Sequence, residues 1–221
     1  MLIMKYQYKM NILIFGSSGM LGGYISRVLK KDFNIYSINR KDFDVETKDW
    51  ILLEKQINNY HNIKVVINCV GLIPHREKNI ESYFIVNTIF PLKLSEICLQ
   101  KRIKLIHITT DCVFDGKGCY YIEKDMHTSD NIYGISKSLG ENSRDCIIRT
   151  SIIGEEKYNK KGLLEWVKTN KNKQIHGYYN HVWNGLTCLE LSKIILEIIK
   201  KDLFWKGVRH IYSETVTKYS L

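Results

Sequence analysis

Two side chains separated by about one helical turn could transfer a proton. Tyr133 and Lys137 stand four positions apart in the sequence YGISK, so that on a helix the phenol and the ammonium share a face. A phenol, with a pKa of about 10, is a poor proton donor at neutral pH. An ammonium about 5 Å away favours the phenolate by roughly 3 kcal/mol at an effective dielectric constant of about 20. The pair could therefore act as a general acid, although the chain has 14 tyrosines and chance could produce this spacing.

A hydroxyl group stands at the end of a predicted strand shortly before this pair. Thr109, Thr110 and Asp111 follow the apolar segment 103–108, where a hydroxyl could bind the carbonyl oxygen of a substrate. The placement of the Tyr133 helix after this strand favours a common site over a chance pair.

A glycine-rich turn lies near the start of the chain. Gly16, Gly19 and Gly22 form a GxxGxxG sequence between an apolar strand at 11–15 and an amphipathic helix at 20–31. Glycine permits a tight turn and lets a pyrophosphate approach the backbone amides, and the helix N-terminus supplies partial positive charge. Glycines also serve purely structural turns, but the strand–turn–helix setting favours dinucleotide binding.

The end of the second predicted strand indicates which dinucleotide. An NAD site of this kind places an acidic residue about 20 residues beyond the glycines. Here Asn39, Arg40 and Lys41 occupy that place, with no carboxylate until Asp42. The two cations could neutralise a 2′-phosphate, which favours NADPH, and the alternative is a basic loop in a lysine-rich chain.

Apolar and amphipathic segments alternate through the first two thirds of the chain. Apolar runs typical of strands buried on both faces lie at 11–15, 33–38, 63–69, 103–108 and 146–149. Helical spacing recurs at 20–31, 46–60, 81–100 and 131–143. This alternation predicts an α/β fold with a doubly wound parallel sheet of the Rossmann class.

The last third has a different pattern. It predicts helices at 162–169 and 188–201 and short strands at 174–179 and 208–212. Because no linker rich in Pro, Gly or Ser separates this part, we expect it to pack on the sheet. The predicted organisation is an N-terminal extension at 1–10, a nucleotide-binding domain at 11–150 and a substrate-binding region at 151–221.

The composition excludes several classes of protein. Hydrophobic residues make up 44% and charged residues 25%, which excludes a disordered chain, and no apolar run approaches the roughly 20 residues of a membrane span. The net charge of +10 raises the question of nucleic acid, but most basic residues are lysines spread over the whole length, so we expect no nucleic-acid partner. Six widely spaced cysteines and no evident signal segment predict free thiols, no metal site and a cytoplasmic location.

Four motifs in this order resemble the extended short-chain dehydrogenase/reductases. They are GSSGMLG, TTDCVFDG, YGISK and IIRTSIIG, and within that superfamily the chain is most similar to the dTDP-4-dehydrorhamnose reductase-like nucleotide-sugar reductases. The resemblance implies a catalytic triad of Thr110, Tyr133 and Lys137. It also implies that NADPH reduces the 4-keto group of a nucleotide-activated 6-deoxyhexose. A homodimer is a further expectation.

The resemblance extends to binding residues. Tyr133 and Lys137 would contact the cofactor as well as the substrate, and the loop 183–187 would bind substrate through Trp183 and Asn184. Further cofactor contacts would come from the glycine turn, the loop after the second strand, the end of the third strand and the following helix: Ser18, Met20, Leu21, Asp44, Val45, Asn68, Cys69, Val70, Gly71 and Asn87.

Cys112 occupies a position where simple reductases of this family often have an aromatic residue and bifunctional epimerase/reductases have a cysteine. A thiol with a pKa of about 8.5 can exchange a proton on a carbon next to a ketone, as epimerisation at C3 or C5 requires. Lys168 matches the partner lysine of the plant-type enzymes, and His176 and His181 are other candidates. The alternative is that Cys112 only packs.

Two further points qualify the resemblance. The chain stops at Leu221 where 213–220 looks like the start of a helix, and family members usually continue, so we expect part of the sugar pocket to be missing or shortened. A non-catalytic NADP(H)-binding sensor on the same fold is the second functional class. The retained Tyr133–Lys137 pair favours an enzyme.

Overall fold

The computed structural model of this chain describes residues 9–74, 79–118, 120–157 and 162–221. Its centre is a six-stranded sheet in the order β2-β1-β3-β4-β5-β9, in which every neighbouring pair is parallel. The strands are β1 (Asn11–Phe15), β2 (Asn34–Ile38), β3 (Ile63–Asn68), β4 (Lys104–Thr110), β5 (Cys146–Thr150) and β9 (Gly207–His210). The predicted doubly wound parallel sheet is confirmed.

Helices cover both faces of this sheet. They are α1 (Met20–Leu29), α2 (Trp50–Asn58), α3 (Ile80–Phe84), α4 (Phe90–Gln100), α5 (Ile132–Leu139), α6 (Leu163–Thr169) and α7 (Cys188–Lys200). In the described part of the chain, no helix has the length and apolar character needed to cross a membrane.

Alternation along the strands explains the two layers. Side chains at i and i+2 share a face, so Ile12 and Ile14 pack with α1 and α7, whereas Leu13 and Phe15 pack with α2 and α4. All four side chains are at most 1% exposed. The apolar runs of the sequence are therefore continuous because both faces of the sheet are buried.

The predicted long helix at 81–100 is interrupted by a π-helical segment, Ile85–Ile89, between α3 and α4. Pro91 has no N–H to donate to the carbonyl of Asn87, so the regular α-helical ladder cannot continue there. The segment packs against α5, and the Thr88 hydroxyl donates to the Ser136 carbonyl at 2.6 Å. The distortion therefore joins this helix to the helix that carries Tyr133 and Lys137.

The predicted helix at 46–60 is also divided. A 3-10 turn, Val45–Thr47, precedes α2, and Lys48 between them adopts a φ of 57°. The left-handed conformation of Lys48 ends the first turn, and Asp49 then caps α2 by accepting from the amide of Leu52.

Two predictions for the last third are wrong. Residues 174–179 form no strand, and 171–180 are exposed throughout; the Tyr219 amide donates to the Tyr178 carbonyl at 3.2 Å, but no ladder forms. Residues 213–220 form no helix, because the Ser213 amide donates to Asn184 and the Lys218 amide to His181. Instead β10 (Val216–Thr217) pairs antiparallel with β7 (Val182–Trp183).

The rest of this region joins the main sheet or lies beside it. Strand β6 (Ile152–Ile153) pairs with β8 (Leu186–Thr187), and β9 extends the main sheet as its sixth strand. Helix α7 packs on α1 through Leu191, Ile195 and Ile198, which belong to the same core cluster as Leu21 and Ile25. The main sheet therefore contains a strand from the predicted substrate-binding region, so it extends across the predicted boundary near residue 150.

Candidate active site

The candidate site lies along one edge of the sheet. The carboxyl ends of β1, β3, β4 and β5 lead into the glycine turn, the segment 69–71, the turn at 111–113 and the segment from Ser151 onward. In open α/β sheets, ligands bind in the crevice outside this edge. The topology therefore brings together segments that the sequence analysis singled out separately.

The turn after β1 is closed so tightly that it requires glycine. Gly16 has a φ of +78°, and a Cβ there would lie 3.0 Å from the carbonyl carbon of Cys69. A Cβ on Gly22 would lie 2.2 Å from the carbonyl oxygen of Gly16. The first position allows the backbone to turn, and the third lets α1 pack directly on the turn.

The N-terminus of α1 suits an anion. Gly19 is the N-cap residue and no side chain caps the helix, so amides of the first turn are available to a ligand. Ser17 is tied to the end of β2 by donating from its hydroxyl to Asn39 Oδ1 at 3.0 Å. Ser18 is exposed, Met20 half-buried and Leu21 buried. The cradle fits the pyrophosphate of a dinucleotide.

Arg40 stands after β2 between two carboxylates. Its Nε lies 3.0 Å from Asp44 Oδ2 and its Nη2 lies 2.7 Å from Glu46 Oε2. The hydrogen bond with Asp44 is the main cause of the raised pKa of Arg40. The guanidinium side chain is still 66% exposed, and Lys41 beside it is exposed. Both cations are accessible at this place.

Asp44 and Val45 shape the loop below Arg40. Asp44 Oδ1 accepts from the amide of Glu46 at 3.1 Å and thereby caps the 3-10 turn, while Val45 is buried. Glu46 also accepts from the Ser82 hydroxyl at 2.7 Å. The loop after β2 is therefore fixed to the start of α3.

Residues 68–71 form the opposite wall of the cradle. The Asn68 side chain accepts from the Val70 amide at 3.0 Å, and its Nδ2 lies 3.1 Å from His107 Nδ1. Burial raises the pKa of Cys69 to about 12, with the nearby Cys188 thiol adding to the shift. Cys69 is thus a neutral thiol, and its backbone carbonyl is what contacts Gly16.

Lys137 is the buried cation of the site. Its side chain lies among residues that leave it 5% exposed, and its Nζ donates to the carbonyl oxygen of Ile108 at 3.1 Å. Burial lowers its pKa to about 8, and the Glu141 carboxylate opposes this shift. The amine is therefore still mostly protonated at neutral pH. A Cβ on Gly71 would lie 3.5 Å from Nζ, so the ammonium adjoins the segment 68–71 that forms this wall of the cradle.

Tyr133 lies one turn before Lys137 on α5. Burial is the main cause that raises its pKa above the ordinary value of 10, and neighbouring Cys112 adds to it, whereas a hydrogen bond with the Thr110 hydroxyl acts in the opposite direction. Thr110 is buried and accepts from the Cys112 amide at 3.2 Å. The phenol is therefore held protonated beside a hydroxyl, but its raised pKa contradicts the lowering by Lys137 that the sequence spacing predicted.

Asn87 lies in the π-helical segment beside this pair. Its Oδ1 accepts from the Leu72 amide at 2.9 Å, and its Nδ2 donates to the Leu72 carbonyl and the Ser136 hydroxyl, both at 3.0 Å. These bonds place the side chain 3.7 Å from a Cβ built on Gly71. Asn87 therefore fixes the wall segment against α5, and its contact with a cofactor stays a prediction.

Cys112 is exposed at the mouth of the site. Desolvation of the thiol and the adjacent Asp111 carboxylate raise its pKa, while the ammonium of Lys218 acts in the opposite direction. Lys218 also lies over the ring of Trp183, with Nζ 5.7 Å from the ring centroid. Sequence reasoning missed Lys218, because only the pairing of β10 with β7 brings it here.

The predicted substrate loop adjoins this lysine. The Trp183 indole donates from Nε1 to the Ser151 hydroxyl at 2.8 Å, and the Asn184 carbonyl accepts from the Ser213 amide at 2.7 Å. Trp183 and Asn184 are half-buried. The loop is therefore anchored to the end of β5, as a substrate-facing position needs.

The predicted partners of Cys112 have other surroundings. Lys168 lies 2.7 Å from Glu155 and 3.4 Å from Glu165, and the bond to Glu155 is the main cause of its raised pKa. His176 and His181 are exposed. The cation that the structure brings close to Cys112 is Lys218, so Lys168 is not favoured for that role.

A second group that sequence reasoning missed lies beneath the site. Arg149 at the end of β5 is 2% exposed and paired with Glu141, His127 and His210. A charged residue within a strand otherwise buried on both faces was the available signal in the sequence.

The sheet, the glycine cradle and the Tyr133–Lys137 pair together define a short-chain dehydrogenase/reductase fold. Residues 10–219 match the protein family described as the RmlD substrate binding domain. The chain belongs to this family, and the predicted membership in the dTDP-4-dehydrorhamnose reductase-like branch is confirmed.

Individual relatives agree with this assignment. A dTDP-4-dehydrorhamnose reductase from Aggregatibacter actinomycetemcomitans is 25% identical over 212 residues, which are 90% of this chain and 70% of that protein. A dTDP-4-keto-6-deoxy-D-glucose reductase from Streptomyces niveus is 28% identical over 133 residues, or 58% of this chain and 45% of that protein. The chain therefore matches between about half and 70% of the length of these two relatives.

A solved structure confirms the fold. The dTDP-4-dehydrorhamnose reductase from Bacillus anthracis, in complex with NADP, superimposes with a TM-score of 0.83 at 22% identity, and the match covers 96% of this chain and 78% of that one.

Proposed function

We propose that this chain reduces the 4-keto group of a nucleotide-activated 6-deoxyhexose with NADPH. The observation that carries the proposal is the Tyr133–Lys137 pair on α5, a protonated phenol beside the Thr110 hydroxyl and a buried ammonium next to Gly71. The relatives that are named as 4-keto-sugar reductases support the substrate class.

The reaction requires that a hydride reaches the carbonyl carbon while a proton reaches its oxygen. The nicotinamide supplies the hydride when it is bound. The Thr110 hydroxyl orients the carbonyl oxygen, and Tyr133 donates the proton to that oxygen. The Lys137 ammonium stabilises the phenolate that remains. Each group acts where negative charge develops.

The choice of cofactor rests on Arg40 and Lys41. Both side chains are exposed after β2, where a ribose 2′-phosphate would lie. Asp44 and Glu46 hold the guanidinium in place through Nε and Nη2, and the two exposed positive charges of Arg40 and Lys41 suit a phosphate. This arrangement favours NADPH over NADH.

An activity assay tests the proposal. Purified protein with NADPH and a panel of dTDP- and UDP-linked 4-keto-6-deoxyhexoses should oxidise the cofactor with at least one sugar. Tight NADPH binding without turnover on any sugar of the panel would instead support the non-catalytic sensor.

Epimerisation is a second candidate, favoured by one observation. Cys112 is exposed, close to Tyr133 and Lys218, rather than packed in a core. Its raised pKa keeps the thiol protonated, so it could return a proton to the carbon next to the ketone after a base on the opposite face of the ring has removed the original proton. In D₂O the wild-type protein should then place deuterium at C3 or C5 of a 4-keto sugar, and Cys112→Ser should not. Reduction without any exchange in the wild type would leave a simple reductase.

The location and assembly are part of the same proposal. The five cysteines among the described residues are free thiols, which supports a reducing compartment such as the cytoplasm. A homodimer stays a prediction.

A further inference from the structure

Arg149 is a buried charge at the end of β5, beside Thr109 of β4. A buried guanidinium is tolerated only where its donors are paired. Its Nη2 donates to Glu141 Oε2 at 2.6 Å and its Nε to Glu141 Oε1 at 3.2 Å, which forms a bidentate pair. The side chain of Arg149 is 1% exposed and that of Glu141 is 6% exposed.

Two imidazoles complete the shell of this guanidinium. His210 Nε2 lies 2.7 Å from Arg149 Nη1, and His127 Nε2 lies 2.8 Å from Nη2. Because arginine has no acceptor, both Nε2 atoms must accept, so both rings are neutral with the proton on Nδ1. The His127 Nδ1–H then donates to the hydroxyl of Ser138 on α5.

The cluster joins the two parts of the catalytic constellation. Ser138 lies in α5, the helix that carries Tyr133 and Lys137, and Glu141 follows the end of that helix. On the other side, the guanidinium carbon lies 5.1 Å from the ring centroid of Phe114, the residue directly after the 3-10 turn that Thr110 caps.

Further contacts fix the segment that follows Phe114. The rings of His127 and His210 meet the ring of Phe114 edge-on, with centroids 5.7 and 6.0 Å away. Glu123 accepts from the His210 amide at 2.9 Å. Phe114, Glu123 and His127 are thereby attached to Arg149 or to its partner His210.

We propose that Arg149 is a positioning residue for the reduction, which holds the Tyr133 helix and the Thr110 turn in register through Glu141, His127 and His210. This inference rests on the proposed function, but the network exists in the protein without substrate. It predicts that activity depends on the bidentate fork of arginine and not only on its charge.

The network also predicts a pH dependence. His127 faces Arg149 and Glu141, and His210 faces Arg149, Glu123, Glu141 and Asp111. Burial is the main cause that lowers the pKa of both histidines below 6.5, and Arg149 adds to it. A proton on either Nε2 would place a cation against the guanidinium.

The sign of the stability change follows from these lowered values. Between the folded pKa and 6.5, the unfolded chain binds more protons than the folded one. The free energy of unfolding therefore decreases as the pH falls from 6.5 toward the folded pKa of each histidine.

The first test compares two arginine variants. Arg149→Lys keeps the charge and loses the fork, so kcat should fall about ten- to hundredfold, while the Kd for NADPH changes by less than about twofold because the cradle is untouched. Arg144→Lys is the matched control, since Arg144 is exposed and bonds to Ser95 rather than to this cluster. Equal kcat values in a folded Arg149→Lys and in Arg144→Lys would overturn the proposal.

The second test removes titration and keeps the acceptors. In the double variant His127→Gln/His210→Gln, the amide oxygens can accept from Arg149 but take up no proton. The decrease of kcat below pH 6.5 should then move to lower pH, and the acid-side loss of thermal stability should shrink. An unchanged acid limb in a folded double variant would overturn the proposal.

The stability measurement also separates the two hypotheses. If the wild type reduces no sugar of the panel, the proposed function fails, and the acid-side change of melting temperature still tests the network. A wild-type melting temperature with the same acid dependence as the double variant would show that the two imidazoles are not coupled to Arg149.

Discussion

The two sides of the candidate site differ in how firmly they are built. On the side of α5, the side chains of Lys137, Glu141 and Arg149 are buried and hydrogen-bonded, and the π-helical segment holds α5 through Thr88 and Asn87. On the other side, residues 171–180 are exposed throughout and form neither helix nor strand. Proton transfer needs preorganised groups, and the buried side supplies them for the proposed reaction.

The largest expected effect comes from the buried side. Tyr133→Phe keeps the ring and removes the proton that is transferred, so kcat should fall by about two to four orders of magnitude. Binding of NADPH, followed by fluorescence titration, should stay close to that of the wild type. Near-normal turnover would mean that another group is the acid.

A substitution in the glycine cradle should have the next largest effect, in this case on the affinity for NADPH. A Cβ from Gly22→Ala would lie 2.2 Å from the Gly16 carbonyl oxygen, so the turn must shift, and the affinity for NADPH should fall by about tenfold or more. Gly23→Ala is the matched control, because its Cβ would meet Ser17 O at an ordinary 3.6 Å. Calorimetric titration of both variants would measure the difference, and equal affinities would contradict the predicted site.

Replacement of Arg40 should change the preference between NADPH and NADH more than it changes the affinity for nicotinamide dinucleotides in general. Arg40→Asp places a third carboxylate beside Asp44 and Glu46, so the preference for NADPH over NADH should fall by about ten- to hundredfold, as expected for a charged hydrogen bond. Lys48→Gln removes a cation paired with Glu81 and should leave the ratio unchanged. Equal affinities for the two cofactors in the wild type would remove the basis of the prediction.

The smallest effect is expected on the open side. Lys218→Ala removes the cation near Cys112 and Trp183, and because the partly exposed lysine is worth about 1 kcal/mol to an anionic substrate, KM for the nucleotide sugar should rise several-fold. The value of kcat should change little, which would sharpen the contrast with Tyr133→Phe. A large loss of kcat with unchanged KM would place Lys218 among the proton-transfer groups instead.

The sequence predicted the buried side of the site, with the sheet and α5, better than the exposed segment 171–180. Strand β1 has the predicted bounds because its apolar run and the glycines after it are local signals. The strand expected at 174–179 does not form, because the single backbone bond from the Tyr219 amide to the Tyr178 carbonyl makes no ladder. A pattern within one segment carries no information about whether a partner exists.

The Arg149 cluster shows a different limit of sequence analysis. Its members lie at 127, 141, 149 and 210, so only the register of β4, β5 and β9 assembles them. Lys218 is a similar case, since it reaches Cys112 through the antiparallel pairing of β10 with β7. The π-helical segment Ile85–Ile89 results from Pro91 together with the contact to α5. Because that contact is not visible in the sequence, the proline alone did not indicate the interruption.

The packing of α1 on α7 has a consequence for how the chain is made. The apolar face of α1 packs on α7, which begins about 160 residues later in the chain. At a synthesis rate of roughly 5–20 residues per second, α7 is made about 10 to 30 seconds after α1. Until α7 leaves the ribosome, Leu21 and Ile25 and the sheet face beside them have no cover from it. The nascent chain therefore exposes this apolar surface until α7 has emerged, and β9 can join the sheet only after α7.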